Sequence, residues 1–323
     1  MSDIRANPKI LIIGAGSIGR RHAANLTRLG CQLAIHDVAR EHLHSVCREN
    51  GYSPIDNLSA ALNTGDFRAA IICTPNNQHV SSALMAVDAG LDIFIEKPLS
   101  DSMEGVGDLI SSVRRSGCIA MAGFNLRFEP GLAYLKKKID PLQVAFARIE
   151  FGSWLPDWRK GVDYRKVYSA NKSMGGGIIL DDVHELDYAC WLMGYPEKVH
   201  CAFGKFSNLE IDVEDVADIH FGYLNKLVTI HMDYLQRQYT RKCRICLKDG
   251  QIIEWIYGSG VNEYGPDSNT NHYSYGSTFD PNIMYSDEIS AFLNCIKYRI
   301  QPESGLDNAM KILKIALMAK HSQ

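Results

Sequence analysis

The stretch Lys9-Ile-Leu-Ile-Ile-Gly14-Ala-Gly16-Ser17-Ile18-Gly19-Arg-Arg-His decides the fold. The unbroken apolar run Ile10 to Ile13 predicts a strand buried on both faces, and Ser17 to Gly30 carries the polarity of a helix. A GxGxxG between a strand and a helix is the context in which that pattern binds a dinucleotide. Gly14 permits the tight turn, Gly16 lets the backbone approach a pyrophosphate, and Gly19 allows close helix packing. The helix start at Ser17 and Ile18 offers N–H donors and a positive dipole end to the phosphates.

The same alternation continues outward to about Ala122, through CQLAIHD, AREHLHSVCRENG, AAIICTP, QHVSSALMAVDAG and LDIFIEKP. Short apolar strands alternating with helices predict βαβ units on a parallel sheet, and Gly30, Gly51 and Gly90 fall where helices end. Asp37 closes the second strand, 18 positions after Gly19, where a carboxylate accepts from both ribose hydroxyls and repels a 2′-phosphate. NAD is therefore expected rather than NADP. Arg40 nearby softens the preference, and Asp37 has a second reading as cap of a helix starting near Ala39.

Beyond Gly123 the strands lengthen and alternate, as in QVAFARIEFGSW, VADIHFGY, KLVTIHMDYLQ and RKCRICLKDGQIIEWIY, before helical periodicity returns from Tyr285 to Lys320. The expected fold class is α/β. It comprises a doubly wound Rossmann domain over residues 1–122 and a substrate-binding and oligomerisation domain over residues 123–323 with an open, mainly antiparallel sheet. The C-terminal helices are candidates to pack back on the first domain.

Over 323 residues, 34 Lys plus Arg against 37 Asp plus Glu leave a net charge of −3, which gives no field for nucleic acid or an anionic membrane. The longest apolar runs fall far short of the roughly 18 residues that span a bilayer, and the N-terminus is polar, so the expected location is the cytoplasm. Nine scattered cysteines fit reduced thiols. The one CxxC, Cys243 and Cys246, reads as strand without completing ligands, and no metal is expected.

The strand ends Ile72-Cys-Thr74-Pro75-Asn76-Asn-Gln-His79 and Phe94-Ile-Glu96-Lys97-Pro98-Leu-Ser, with the glycine-rich turn, resemble the Gfo/Idh/MocA family of NAD(P)-dependent oxidoreductases. Gly123-Phe-Asn125-Leu-Arg127-Phe-Glu-Pro130, Gly175-Gly-Gly-Ile-Ile-Leu-Asp181-Asp-Val-His184-Glu-Leu-Asp187 and Met284-Tyr-Ser-Asp-Glu288 extend the resemblance over nearly the whole chain. It implies NAD as cofactor, a sugar, sugar-acid or sugar-nucleotide substrate, and a homodimer or homotetramer built on a sheet face. It also implies that Thr74, Pro75, Asn76, His79 and Asn125 border the cofactor, that Glu96 and Lys97 approach the nicotinamide ribose, and that Lys97 and His184 are the catalytic pair. The LDDVHELDY variant is most similar to members of bacterial surface-sugar pathways. Rival readings are an NAD-dependent glycoside-cleaving enzyme with internal hydride recycling, a carbonyl or imine reductase, and a non-catalytic NAD(H)-sensing module.

Oxidising an alcohol needs a group to take the hydroxyl proton as the hydride leaves. Lys97 lies at the carboxyl end of a parallel strand, the edge where open α/β sheets bind ligands; its plain alternative is a solvated surface lysine. His184 is expected in the first turn of a helix from about Asp181 to Met193, whose positive end disfavours the imidazolium and suits a general base. The alternative is a packed polar histidine beside a capping box of Asp182 and Glu185. The family pattern sets an Asp four residues before this His, where Leu180 stands. Asp181, three before, shares roughly the same helical face and would orient the imidazole, hold a substrate hydroxyl or cap the helix; Asp187 is the next alternative.

From Trp154 to Ser173, Arg159, Lys160, Arg165, Lys166 and Lys172 interleave with Trp154, Trp158, Tyr164 and Tyr168. Such a mixture suits a sugar bearing phosphate or carboxylate, with Trp158, Tyr164 and Lys172 as candidate contacts, or else a solvated loop whose aromatics pack on the sheet. Arg127 is a candidate for an anionic substrate group or the cofactor, or for an interdomain salt bridge.

Overall fold

Ile10, Leu11 and Ile12 are fully buried, as a continuous apolar strand requires. They belong to β1 (Lys9–Ile13), which runs parallel between β2 (Gln32–His36) and β4 (Ala69–Ile72). The computed structural model describes residues 7–265, 270–275 and 279–322. The chain divides into two compact units, Met1–Phe124 with Met284–Lys311, and Asn125–Ile283 with Ile312–Gln323.

In the first unit β3 (Ser53–Ile55), β5 (Asp92–Glu96) and β6 (Ala120–Gly123) complete a six-stranded parallel sheet of order β3-β2-β1-β4-β5-β6. The connections are α1 (Ser17–Arg28), α2 (Arg40–Asn50), α3 (Leu58–Leu62), α4 (His79–Asp88) and α5 (Val106–Ser116). Strand order reverses at β1 and β4, so the turns at their carboxyl ends diverge and leave the crevice in which such sheets bind ligands. Gly14 follows β1 and Thr74 follows β4. At the β6 edge the Ala122 N–H donates to the Ser304 carbonyl at 2.8 Å, so the returning chain covers an otherwise open strand.

The second unit opens with α6 (Pro130–Lys138) and builds an eight-stranded sheet. Its strands are β7 (Val144–Gly152), β8 (Lys198–Gly204), β9 (Val216–Gly222), β10 (Leu227–Asp233), β11 (Thr240–Leu247), β12 (Ile252–Ile256), β13 (Gly260–Tyr264) and β14 (Thr270–Ser274), in the order β14-β13-β12-β11-β7-β10-β9-β8. Among the described residues of this sheet only β7 and β10 pair in parallel. Along β9, Ala217, Ile219 and Phe221 are buried while Asp218 and His220 are exposed, so one face is packed and the other is open. Cys243 and Cys246, three apart on β11, point to opposite faces and cannot act as a ligand pair without distorting the strand.

The expected single helix from Asp181 to Met193 is instead two, α7 (Ile178–Asp181) and α8 (His184–Met193), broken at Asp182 with φ −105° and ψ 39°. The shared helical face assumed for Asp181 and His184 is therefore lost. The capping box is absent too: Val183 is the cap residue of α8, and Asp182 and Glu185 both turn to Arg241. The last helices are α9 (Asn282–Tyr298) and α10 (Leu306–His321). No described helix is long and apolar enough to cross a membrane.

Candidate active site and dinucleotide cradle

The three glycines of the first turn do different work. Gly14 has φ +110°, and a Cβ there would lie 2.4 Å from the Cys73 carbonyl oxygen; one on Gly19 would lie 1.9 Å from the Gly14 oxygen. Both are demanded by the chain's own packing. A Cβ on Gly16 would meet nothing within 4 Å, so internal packing does not require a glycine there. The space above Gly16 faces the first turn of α1, where no side chain caps the helix and no acidic residue stands. Ser17 and Ile18 thus offer N–H groups at a positive helix end.

Asp37 fixes this turn from beneath. Its Oδ2 accepts from the Ala15 N–H at 2.7 Å and its Oδ1 from the Ala39 N–H at 2.8 Å, while His42 Nε2 stands 3.0 Å from the Ala15 carbonyl. A carboxylate oxygen has two acceptor sites, so these bonds leave room for ribose hydroxyls.

After β4, half-buried Thr74 has a buried Oγ1 with no hydrogen-bond partner among the described residues, an orphan that a ligand donor or acceptor would satisfy. Pro75 precedes a short turn of helix beginning at buried Asn76. His79 is almost fully buried, with Nδ1 2.8 Å from the Pro98 carbonyl and Nε2 2.8 Å from the Thr74 carbonyl. Burial lowers its pKa, against the pull of the two carbonyls. Its ring is occupied in tying the Thr74 turn to the Lys97–Pro98 turn, whose peptide is cis.

At the end of β5, Glu96 is buried, with Oε1 2.6 Å from His22 Nε2 on α1 and Oε2 accepting from the Lys97 N–H at 3.2 Å. Lys97 follows, half-buried at the carboxyl edge of the sheet. His22 escaped the sequence analysis: one histidine on an amphipathic helix has no local signal for a partner 74 positions away.

In the second unit His184 is the first residue of α8 and is buried. Asp181 ends α7, also buried, and accepts from Tyr168 Oη at 2.5 Å and Tyr234 Oη at 3.1 Å. Two tyrosine hydroxyls thus hold its carboxylate in place. Asp182 meets Arg241, whose Nε also lies 2.8 Å from Glu185 Oε1 without hydrogen-bond alignment. Burial pushes Glu185 well above the usual carboxylate range; Arg241 opposes that and Asp182 adds to it. Tyr168, Tyr234 and Arg241 were likewise unassigned from sequence.

Asn125 is buried, and its Oδ1 has no partner among the described residues. Arg127 is engaged by Asp187 within the same unit, through Nε to Oδ2 at 2.9 Å and Nη2 to Oδ1 at 2.6 Å. Trp158 and Tyr164 line one small concavity with Leu155, Arg159 and Ser169. The Trp158 Nε1–H donates to Ser153 Oγ at 2.9 Å, and Tyr164 Oη accepts from the Glu210 N–H at 3.2 Å. Lys172 is exposed and lies outside that concavity, its main-chain N–H on Asp212. Arg165 of the same segment is bridged to Asp163 and Glu210. Among the described residues no group of His, Cys, Asp and Glu could hold a metal ion.

The first unit fits a dinucleotide: an open cradle at Gly16, an uncapped helix end, an anchored acid at the end of β2 and an orphaned Thr74 hydroxyl. Comparison with known proteins agrees. Residues 8–124 match a family model described as an oxidoreductase family with an NAD-binding Rossmann fold, and residues 143–253 match a GFO/IDH/MocA C-terminal domain. The scyllo-inositol 2-dehydrogenase (NAD(+)) of Bacillus subtilis (strain 168) is 30% identical over 190 residues, 57% of this chain and 53% of that protein. The chain spans 53% to 69% of the length of the first three curated relatives it matches. Among solved structures, the UDP-N-acetylglucosamine 3-dehydrogenase GnnA from Acidithiobacillus ferrooxidans superposes with TM-score 0.83 at 20% identity, covering 98% of this chain and 97% of that one. A levoglucosan dehydrogenase in complex with NADH and levoglucosan gives TM-score 0.87 at 17% identity over the same shares. At these identities the two structures establish the shared fold.

Proposed function

This chain belongs to the Gfo/Idh/MocA family of oxidoreductases, and from that membership we propose that it transfers a hydride between NAD(H) and a hydroxyl or carbonyl of a sugar, sugar acid or sugar nucleotide. The observation that carries the reading is the empty space at Gly16 over the uncapped start of α1, a glycine that the chain's own packing does not require. When bound, NAD supplies the hydride acceptor or donor. The chain's own residues do the rest.

Gly14, whose own N–H donates to the His36 carbonyl at 2.8 Å, shapes the turn in which Gly16, Ser17, Ile18 and Gly19 receive the pyrophosphate on backbone N–H groups, Asp37 takes the ribose hydroxyls, and the turns at Thr74-Pro75-Asn76 and Glu96-Lys97, joined by His79, flank the dinucleotide. Asn125 contributes its buried acceptor. His184 takes the hydroxyl proton in the oxidising direction, and Lys97 stabilises the developing alkoxide. Asp181, held by Tyr168 and Tyr234, is the assisting carboxylate. Trp158, Tyr164 and Lys172 are the proposed sugar contacts, with a surface-sugar precursor as the favoured substrate. Arg127 is the weakest of the substrate assignments, since Asp187 already occupies its fork.

Assembly as a homodimer or homotetramer is proposed on the open face of the second sheet, where Arg148, Thr229, His220 and His200 stand in one cross-strand row. Nine free cysteines support a reducing, cytoplasmic setting. The test is fluorescence titration of the purified protein with NAD, NADH and NADPH, then a panel of sugars and nucleotide sugars followed by the absorbance of the reduced nicotinamide. Net NADH formation or consumption supports the reading. Tightly held NAD without net turnover would replace it with the internally recycling glycoside-cleaving enzyme, and absence of dinucleotide binding would overturn it.

A further inference from the structure

His22, in the second turn of α1, is completely buried, and Glu96 beside it is nearly so. A buried imidazole and a buried carboxyl each need a polar partner in place of water. At 2.6 Å between Nε2 and Oε1 they do meet, and the other Glu96 oxygen holds the Lys97 N–H. The surroundings are shaped to this pair. Phe94 and Tyr285 present ring edges to the imidazole at 5.2 Å and 6.2 Å, and a Cβ on Gly123 would press to 3.2 Å from Glu96 Oε2. Arg21 lies over the Tyr285 ring at 4.4 Å. The Met284-Tyr-Ser-Asp-Glu288 motif, which the proposed chemistry leaves unused, supplies that cover through Tyr285.

We propose that His22 is a positioning residue for Lys97: through Glu96 it fixes the end of β5, and with it the lysine, against the helix whose start receives the dinucleotide. The inference rests on the reading of Lys97 as a catalytic residue. Nδ1 of His22 has no hydrogen-bond partner among the described residues, so Glu96 is the anchor the imidazole serves. A displacement of α1 against β5 is passed through the two Glu96 oxygens to the Lys97 main chain. A glutamine amide can present an N–H where His22 Nε2 stands; leucine offers none, and the asparagine side chain is too short to place its amide there.

The experiment is trace acetylation with acetic anhydride over a pH series, on the full chain without cofactor or substrate, the Lys97 peptide being read by mass spectrometry. Lys9 and Lys297 of the same unit are internal controls. His22→Leu is expected to change Lys97 reactivity by about tenfold at neutral pH while the controls stay put, and His22→Gln to return most of the parent profile. A folded His22→Leu protein with an unchanged Lys97 profile, or one in which the control lysines move equally, overturns the proposal. If His22→Leu does not fold, His22→Asn decides in the same way. No turnover is needed, so a lack of dehydrogenase activity would count against the proposed function and leave this result standing.

Discussion

Arg127 and Asp187 form a two-point ion pair inside the second unit, with side chains 6% and 1% exposed. A guanidinium fork on a carboxylate is among the stronger charge-assisted contacts, and in so dry a place neither partner is easily removed alone. Arg127→Leu is expected to destabilise the protein by about 3–5 kcal/mol, and the double replacement Arg127→Leu with Asp187→Leu to recover much of that. Denaturant melts of the two variants check it. An unchanged midpoint for Arg127→Leu with a raised substrate KM would return Arg127 to the substrate.

The glycine-rich turn separates folding from binding. Gly16→Ala is expected to lose no more than about 1 kcal/mol of stability, since its backbone at φ −65° is open to any residue and alanine is only a poorer N-cap than glycine, and to weaken NADH binding by about tenfold as the methyl fills the cradle. Gly19→Ala, forced against the Gly14 oxygen, is expected to lose about 2 kcal/mol or more of stability. Thermal melts beside NADH titrations distinguish the two. Equal loss of binding in a fully stable Gly19→Ala protein would show that the observed packing does not constrain the turn.

Asp37 has two tasks that a pair of cofactors can separate. Its bond to the Ala15 N–H orders the turn for any dinucleotide, whereas a ribose contact serves only NAD. Asp37→Ala should therefore weaken both NADH and NADPH, with NADH losing more. Equal loss, read from parallel fluorescence titrations, would leave Asp37 as an anchor of the turn alone.

His231 on β10 lies between Asp233 at 3.1 Å and Asp218 at 2.8 Å, and the Asp233 bond, against the cost of burial and with help from Asp218, lifts its pKa to about 9. A raised folded-state pKa gives stability that is complete below the ordinary value of 6.5 and is lost as pH rises through about 9. The side chain is 37% exposed, so solvent screening holds the effect below about 1 kcal/mol. The midpoint of urea unfolding should fall between these pH values in the parent and stay flatter in His231→Asn. Parallel curves for the two proteins would assign the decline to other groups.

What the residues disclosed in advance was local. The run Ile10 to Ile13, the turn after it and the strand-end motif at Glu96 each lie within a few residues, and the parallel sheet and cradle follow from them. Pairs formed by distant segments left no such trace: His22 with Glu96, Asp181 with Tyr168 and Tyr234, and Arg241 with Asp182 and Glu185 join residues 13 to 74 positions apart. The helix broken at Asp182 shows how a distant pair overrides a local pattern. Asp182 and Glu185 have capping-box spacing, but a buried guanidinium from β11 takes both carboxyl groups. The strands β13 and β14 were missed because Asn262, Asn271, His272 and Ser274 supply no clean apolar alternation.

Arg241 tests that override directly. Burial alone would lower its pKa, yet Asp182 and Glu185 outweigh it and hold the guanidinium charged. Replacing Arg241 by Met leaves the Asp182 charge buried without its partner, and the expected loss is about 3–5 kcal/mol. Glu185 should behave differently. Burial raises its pKa well above 4.5, so its proton contributes stability that is complete below the unfolded value and is lost as pH rises through the folded one. Glu185→Gln imitates the protonated acid and should remove that part of the alkaline decline. The two variants therefore part company in denaturant melts across a pH series. If Glu185→Gln were as damaging as Arg241→Met at every pH, Glu185 would be an ionised partner of the arginine, and the break before His184 would be held by two charges rather than by Asp182 alone.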